Sequence, residues 1–549
     1  MKKQWWKEAV AYQIYPRSFK DSNGDGIGDI QGIISKLDYL KDLGIDVIWV
    51  CPMFKSPNDD NGYDISDYQD IMSDFGTMED SNQLLEEVHK RGMKLILDLV
   101  VNHTSDEHQW FIESKSSKES PKRDWYIWAD GKDGKEPNNW ESIFSGPAWQ
   151  LDKETGQYFM TIFSSKQPDL NWENSEVRNE VFKMVNWWLD KGIDGFRVDA
   201  ISHIKKLSGL PDLHNPYGQK YVPSFEGHLN KPGIKEFLDE LKKETFSKYN
   251  IMTVGEANGV GIHEADSWVG EENGVFNMIF HFEHLGLWSR EEKRGIDVMG
   301  LKHIMEKWQK GLQNNGWNAL FIENHDQPRS VSSWGNDKEY WDRSAKALAT
   351  MYFFMQGTPF IYQGQEIGMT NVQFQNIEDY NDVGMKNFYH IEREKGRSHE
   401  ELMRIIWRDG RDNSRTPMQW DNSHNAGFST SDKTWIGLNS NHQWLNVEQQ
   451  QKDVYSIFHY YKSMIRIRKE NDGLIYGDFN IELRDNNKVF MYKRQWNNEV
   501  YWIVVNLCSD ETVFDFNLPQ EAKLILNNVG DVNINTLTPY EARVYKYGC

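Results

Sequence analysis

Cysteine is scarce in this chain of 549 residues: Cys51, Cys508 and Cys549 are all there are, and no two stand in a CxxC spacing. An odd, scattered set excludes a disulfide framework and offers no zinc-ligand pattern. Long apolar runs are missing too. Nowhere do about 18 uncharged apolar residues follow one another, so no membrane span is expected. The opening MKKQWWKEAVAYQIYP has a short basic stretch without the sustained apolar core of a secretion signal, which makes the cytoplasm the expected location. Basic residues fall short of acidic ones, 62 against 83, giving a formal charge of -21. That balance argues against nucleic acid and anionic membrane surfaces as partners and suits a neutral small substrate. Internal repeats and low-complexity tracts are absent. Aromatics reach 13% with 23 Trp, but most Trp in a large protein pack the core, so the count alone marks no binding site.

What is present is an alternation. Short β-branched apolar runs recur at Ala11–Pro16, Asp46–Pro52, Lys94–Val100, Asp194–Ala200, Asn250–Glu256, Val275–Phe282, Asn318–Asp326 and Phe360–Glu366. Helical patterns lie between most of them, at Ile33–Gly44, Asp80–Gly92, Val177–Gly192 and Ile234–Lys248. Eight strand–helix units predict an α/β fold, a closed (β/α)8 barrel. Two polar stretches interrupt the rhythm. Thr104–Leu170, after the third strand, is too long for an ordinary loop and reads as an inserted subdomain on the face where such barrels carry their chemistry. Thr370–Trp420, after the eighth, holds a helical patch at His399–Ile406. From about Gly477 short alternating strands take over (Phe479–Leu483, Lys488–Gln495, Val500–Leu507, Thr512–Phe516, Ala522–Asn527, Ala542–Tyr547), the pattern of an antiparallel β-sandwich. The expected division is 1–103 and 171–476 for the barrel, 104–170 for the insertion and 477–549 for the sandwich.

Three of the runs end in acids: Asp199 in GFRVDA, Glu256 in TVGEAN and Asp326 in ENHDQPR. Strand tips of one barrel converge at one face, so these carboxylates are expected to meet. Two carboxyl groups roughly 5–5.5 Å apart can attack a sugar's anomeric carbon and protonate the leaving oxygen. Arg197, two residues before Asp199, shares its face of the strand and would keep it ionised. Glu256 must hold a proton, so its pKa should be raised. His103 in DLVVNH and His325 are placed at strand tips as hydroxyl donors, and neither has a metal-ligand partner at a fixed spacing.

These motifs in this order, with QPDLN at 167–171 ahead of the second, make the chain resemble the α-glucosidases of the α-amylase family, glycoside hydrolase family 13, in the oligo-1,6-glucosidase and exo-α-1,4-glucosidase branch. The resemblance implies Asp199 as nucleophile, Glu256 as general acid/base and Asp326 as the third essential acid. It also implies Asp60 and Tyr63, in NDDNGYDISDY, as the recognition pair for the non-reducing end, with Arg415 of RDNSRTPMQW as the arginine partner. Phe144, Phe163 and Gln167 would line the pocket. The loop DSNGDGIGD offers oxygens at alternate positions, from Asp21, Asn23, Asp25, the Ile27 carbonyl and Asp29, as a hard cation needs. Gly32 stands where an EF-hand has its Glu, and the resemblance implies instead one structural Ca2+ (or Mg2+) remote from the chemistry. No organic cofactor is implied.

Two positions bear on linkage. Ala200 and Asn258 stand where α-1,6-preferring relatives typically carry Val and Pro, and the smaller Ala leaves room for an α-1,4-linked sugar. The expectation is an exo-acting, retaining α-glucosidase favouring α-1,4 links in maltose and short oligosaccharides. The alternatives are oligo-1,6-glucosidase, sucrose isomerase and trehalose-6-phosphate hydrolase. A non-catalytic barrel like the ectodomain of amino-acid-transporter heavy chains would have lost the acids and gained a membrane span. A monomer is expected, with a homodimer as the alternative.

Overall fold

The computed structural model describes residues 2–287 and 295–548, so Cys549 lies outside the described residues. Its centre is a ring of eight parallel strands: β1 Ala11–Ile14, β2 Val47–Val50, β3 Lys94–Val100, β4 Gly195–Asp199, β5 Met252–Glu256, β6 Met278–Phe280, β7 Ala319–Leu320 and β8 Thr358–Tyr362. Pairing runs β6-β5-β4-β3-β2-β1-β8-β7, and a parallel bridge from Ile279 to Asn318 joins the two ends. Nearly every strand residue is buried, because one face of each strand fills the barrel and the other meets a helix.

Several of the outer helices start or stop where the sequence caps them. Asn174 accepts from Glu176 N–H at the start of Ser175–Asp190, whose Val177, Val181, Val185 and Trp188 make one buried stripe. Thr77 and Asp80 form a capping box on Met78–Lys90. Gly44 ends the helix Leu37–Leu43 at φ 104, a left-handed conformation that costs glycine nothing. Gly195 is needed for a different reason: a β-carbon there would lie 1.8 Å from Met252 O, so only glycine lets β4 approach β5.

The 104–170 insertion forms a three-stranded antiparallel sheet from Trp128–Asp130, Gln157–Met160 and Trp149–Leu151. It is not closed within itself: Trp140–Glu141 pairs in parallel with Val222–Pro223, and Leu213 and Val222 share its apolar cluster. The 370–420 stretch carries two helices, Val383–Glu394 as well as His399–Asp409. The first was hidden in sequence because only Met385 of its twelve residues is buried, which leaves no apolar stripe.

Beyond 477 lie β9 Asp478–Glu482, β10 Val489–Trp496, β11 Glu499–Asn506, β12 Lys523–Asn527 and β13 Ala542–Tyr547, in the order β9-β10-β11-β13-β12. The expected sandwich is lopsided. Its second layer is only Thr512–Val513 paired with Thr536–Leu537. Alternation explains the rest: Val489, Met491, Trp502 and Val504 face that small layer, whereas Phe490, Tyr492, Tyr501, Ile503 and Val505 join the core of the barrel. Among the described residues no helix is long and apolar enough to cross a membrane.

Candidate active site

Register brings the acids together. Arg197 on β4 lies opposite Asp98 on β3 and Val254 on β5, and Asp199 and Glu256 follow two residues further on the same inward faces. The Arg197 guanidinium, 1% exposed, contacts three carboxylates: Asp98 at 2.9 Å, Asp199 at 2.7 Å and Glu256 at 3.0 Å. The other oxygen of Glu256 accepts from Ala200 N–H at 2.7 Å. Ala200 is held at φ 44, a turn that ends β4 and aims this N–H across to β5. Asp326 comes from further out, because β7 stops at Leu320 and the acid sits on the loop beyond.

Asp98 is the residue that sequence reasoning passed over. It is fully buried and accepts from Trp49 Nε1 at 3.1 Å and Tyr63 Oη at 2.9 Å. Its place in the DLVVNH motif was the available signal; that it lies opposite Arg197 is a matter of strand register.

Burial dominates the protonation of the acids on Arg197. It pushes Asp199 up to about 7 against the pull of Arg197, with Asp98 adding to the rise, and Glu256 likewise to about 7, with Asp199 and Asp326 adding. The expected rise of Glu256 is present, and the guanidinium alone does not keep Asp199 in the ordinary carboxylate range. Asp326 goes the other way. Burial opposes its ionisation, yet His325, Arg411 and Arg415 together hold it far below the usual range. Gln13 Nε2–H donates to His325 Nδ1 at 2.8 Å, which leaves the ring proton on Nε2, 3.1 Å from Asp326 Oδ2.

The acids open into a cavity of about 210 Å³ lined also by Asp60, Tyr63, His103, Phe144, Phe163, Ala200, Asn258 and Arg411. Tyr63 stacks on His325 with centroids 5.1 Å apart, and Phe144 meets Phe163 edge-on at 5.7 Å. His103 lines the wall with its Nε2 on the Tyr63 carbonyl at 3.1 Å. Gln167 does not face the cavity; it is fully buried behind Asp60 and donates to Asp60 Oδ2 at 3.2 Å.

The expected Asp60–Arg415 pair is corrected. The guanidinium on Asp60 belongs to Arg411, at 3.3 Å, and Arg411 also meets Asp326 at 3.1 Å and Asp382 at 2.6 Å. Arg415 sits behind Asp326, donating to it at 2.8 Å and to His325 O at 2.9 Å. The two arginines are four residues apart in one segment, so sequence could not say which would reach Asp60. A four-residue 3-10 helix at Arg411–Ser414 turns them to different sides.

The Asp21 loop lies outside this cavity. Asp21 is 3% exposed and accepts from the N–H groups of Asn23, Gly24 and Gly26 and from Ser429 Oγ, which hold it below the ordinary range despite burial. Asp29 caps the helix Ile30–Ser35 through Gly32 N–H. Among the described residues no group of three or more His, Cys, Asp or Glu is gathered as if around an ion. The loop's donor set is nonetheless all oxygen, which suits a hard cation in kind, and its carboxylate oxygens retain lone pairs beyond these hydrogen bonds.

Carboxylates gathered at the strand tips of a parallel barrel, over a cavity of this size, are the arrangement a glycoside hydrolase needs. The Alpha-amylase family (Alpha amylase, catalytic domain) matches residues 13–477, and the chain belongs to that family, glycoside hydrolase family 13. It is 59% identical over 552 residues to "Probable oligo-1,6-glucosidase 3" of Bacillus subtilis (strain 168), covering 99% of this chain and 100% of the relative. Among solved structures, trehalose-6-phosphate hydrolase (TreA) of Bacillus licheniformis superposes with a TM-score of 0.91 at 44% identity, covering 99% of this chain and 100% of that one. Isomaltulose synthase SmuA of Protaminobacter rubrum gives 0.93 at 41% identity, with 100% of both chains covered.

Proposed function

We propose that the protein is a retaining, exo-acting α-glucosidase that releases α-glucose from the non-reducing end of maltose and short oligosaccharides, with the α-1,4 link favoured. The observation that carries this reading is the single Arg197 guanidinium shared by Asp199 and Glu256. In the first step an Asp199 oxygen bonds to C1 of the terminal glucose as the C1–oxygen link breaks, and Glu256 gives its proton to the departing oxygen. Water then attacks C1, Glu256 takes a proton from it, and Asp199 leaves. Two inversions return the α-anomer. Asp326 would hold ring hydroxyls, and the Asp60–Arg411 pair would take the terminal ones by charge-assisted hydrogen bonds, closing the cavity beyond the first sugar.

Ala200 supports the α-1,4 preference, since its small side chain lines the cavity beside the acids. The name of the Bacillus subtilis relative supports α-1,6 action as the second reading. Trehalose 6-phosphate is disfavoured because Arg411 is the only cation among the described lining residues, and it is committed to Asp60, Asp326 and Asp382. Initial rates on maltose, isomaltose, sucrose and trehalose 6-phosphate, with the first-released anomer followed by NMR, test the whole reading; β-glucose as first product would end it. Ala200→Val should move the maltose-to-isomaltose rate ratio toward isomaltose by about 5- to 100-fold, the worth of one or two methyl-sized contacts. An unmoved ratio would mean that position 200 does not choose the linkage.

Ca2+ in the Asp21 loop belongs to the same proposal, with Asp21, Asn23, Asp25, the Ile27 carbonyl and Asp29 as the residues that would hold it. Bound there, the ion would supply charge compensation for the loop and nothing to the reaction. Chelation should then lower Tm by several degrees while kcat at saturating maltose stays the same. Loss of turnover without any shift in Tm would contradict a structural ion.

A further inference from the structure

Arg411 is held by more than the cavity it lines. A guanidinium carries five N–H donors in one plane. Four of them go to carboxylates: Nε–H to Asp382 Oδ2 at 2.6 Å, one Nη2–H to Asp382 Oδ1 at 2.8 Å, the other to Asp60 at 3.3 Å, and one Nη1–H to Asp326 at 3.1 Å. The second Nη1–H has no partner among the described residues. Asp382 alone takes two of the four, edge to edge, and a fork held by two parallel bonds cannot swing about either. Asp60 and Asp326 each hold a single corner. Asp382 is 1% exposed and does not line the cavity. Burial opposes its ionisation, yet Arg411 and Arg415 hold it below the usual carboxylate range.

The same carboxylate caps a helix. Asp382 Oδ1 accepts from the N–H groups of Gly384, at 2.7 Å, and Met385, at 3.3 Å, at the start of Val383–Glu394. That helix has one buried residue, Met385, so little apolar contact fixes its start. Met385 packs with Ile377, Tyr380, Met403 and Ile406 in a small cluster separate from that of the barrel. The grip is mutual. Asp412, next to Arg411, accepts from the N–H of Asn381 at 2.6 Å and of Asp382 at 2.9 Å. Two segments 29 positions apart thus clasp each other, side chain to side chain one way and side chain to backbone the other. The helix also reaches the ring beside the guanidinium: Asn387 Nδ2–H donates to Phe144 O at 3.1 Å, and the centre of the Phe144 ring lies 4.7 Å from Arg411.

We infer that Asp382 is a positioning residue: it sets the plane of the Arg411 guanidinium, so that the free Nη1–H faces the terminal sugar, and ties that alignment to the start of the helix Val383–Glu394. This rests on the α-glucosidase reading, which puts the sugar's free end at Asp60 and Arg411. Asp382 itself does not touch the sugar. Its effect passes through Arg411, and that separates it from a plain helix cap.

Asp382→Asn divides the two roles. Asn caps a helix as well as Asp does, so hydrogen exchange at the amides of 383–394 should stay at the wild-type level. The new amide nitrogen then meets Arg411 Nε–H as donor against donor. As a result kcat/KM for maltose should fall about 10- to 100-fold, mostly through KM. Asp382→Ala should lose as much activity and the exchange protection as well. In an Arg411→Ala background Asp382→Asn should cost nothing further, because the group it aims is gone. Wild-type kcat/KM in Asp382→Asn, or an equal fall with and without Arg411, would overturn the inference, whatever the helix does. A wild-type protein that turns over neither maltose nor isomaltose would instead remove the α-glucosidase reading, and the inference with it.

Discussion

Asp199→Ala should give a folded protein whose turnover of maltose is lower by about 10⁴-fold, the loss seen when a covalent nucleophile is removed. Folding should survive because Arg197 keeps Asp98 and Glu256 as partners, so no buried charge is orphaned. Glu256→Gln should cost about 10²–10⁴-fold on maltose, the range for general acid–base catalysis, and much less for glucosyl-enzyme formation from α-glucosyl fluoride, whose leaving group needs no proton. The pH dependence follows from the same pair. The active form carries one proton shared between Asp199 and Glu256. With both raised to about 7, it is lost below neutrality as Asp199 is protonated and above it as Glu256 is deprotonated. Wild-type kcat/KM should therefore peak near neutral pH, and Glu256→Gln should lack the alkaline limb. Near-normal maltose turnover in either variant would refute the assignments.

Arg411→Ala should raise KM for maltose and lower kcat/KM about 10²–10³-fold, because it truncates one partner of a hydrogen-bonded charge network. Arg411 is the contact between Asp60, Asp326 and Asp382, and its guanidinium also lies 4.7 Å from the centre of the Phe144 ring. Without it burial leaves Asp60, already raised to about 7, still harder to ionise. Thermal melting of the same variant separates the two explanations: a large drop in Tm with unchanged KM would make Arg411 a structural pin and not a grip on the sugar's free end.

How legible this was depended on the physical signal. The barrel strands were readable because most are short apolar runs set between amphipathic helices, and β4 and β5 ended within a residue of their expected tips. Converging acids followed from strand direction alone. What sequence could not carry was contact between distant polar segments. Asp98 looked like one more strand residue until register set it against Arg197. Arg411 and Arg415 stand in one motif, and only the turn between them decides which reaches Asp60. The pairing of Val222–Pro223 with Trp140–Glu141 joins two polar stretches without periodicity and was invisible, as was the helix Val383–Glu394 with a single buried residue. Thr536–Leu537 was too short to register as a strand.

The C-terminal sheet has a consequence for how the molecule holds together. Alternate residues of β10 and β11 belong to the same apolar mass as the barrel helices, and buried Arg494 donates to the carbonyls of Leu474, Ile475 and Gly477 at the junction. The seam at 477 is thus a change of architecture without a gap in the interior. It offers no hinge: barrel and tail should melt in one cooperative step, and neither half has a solvent-ready face with which to stand alone.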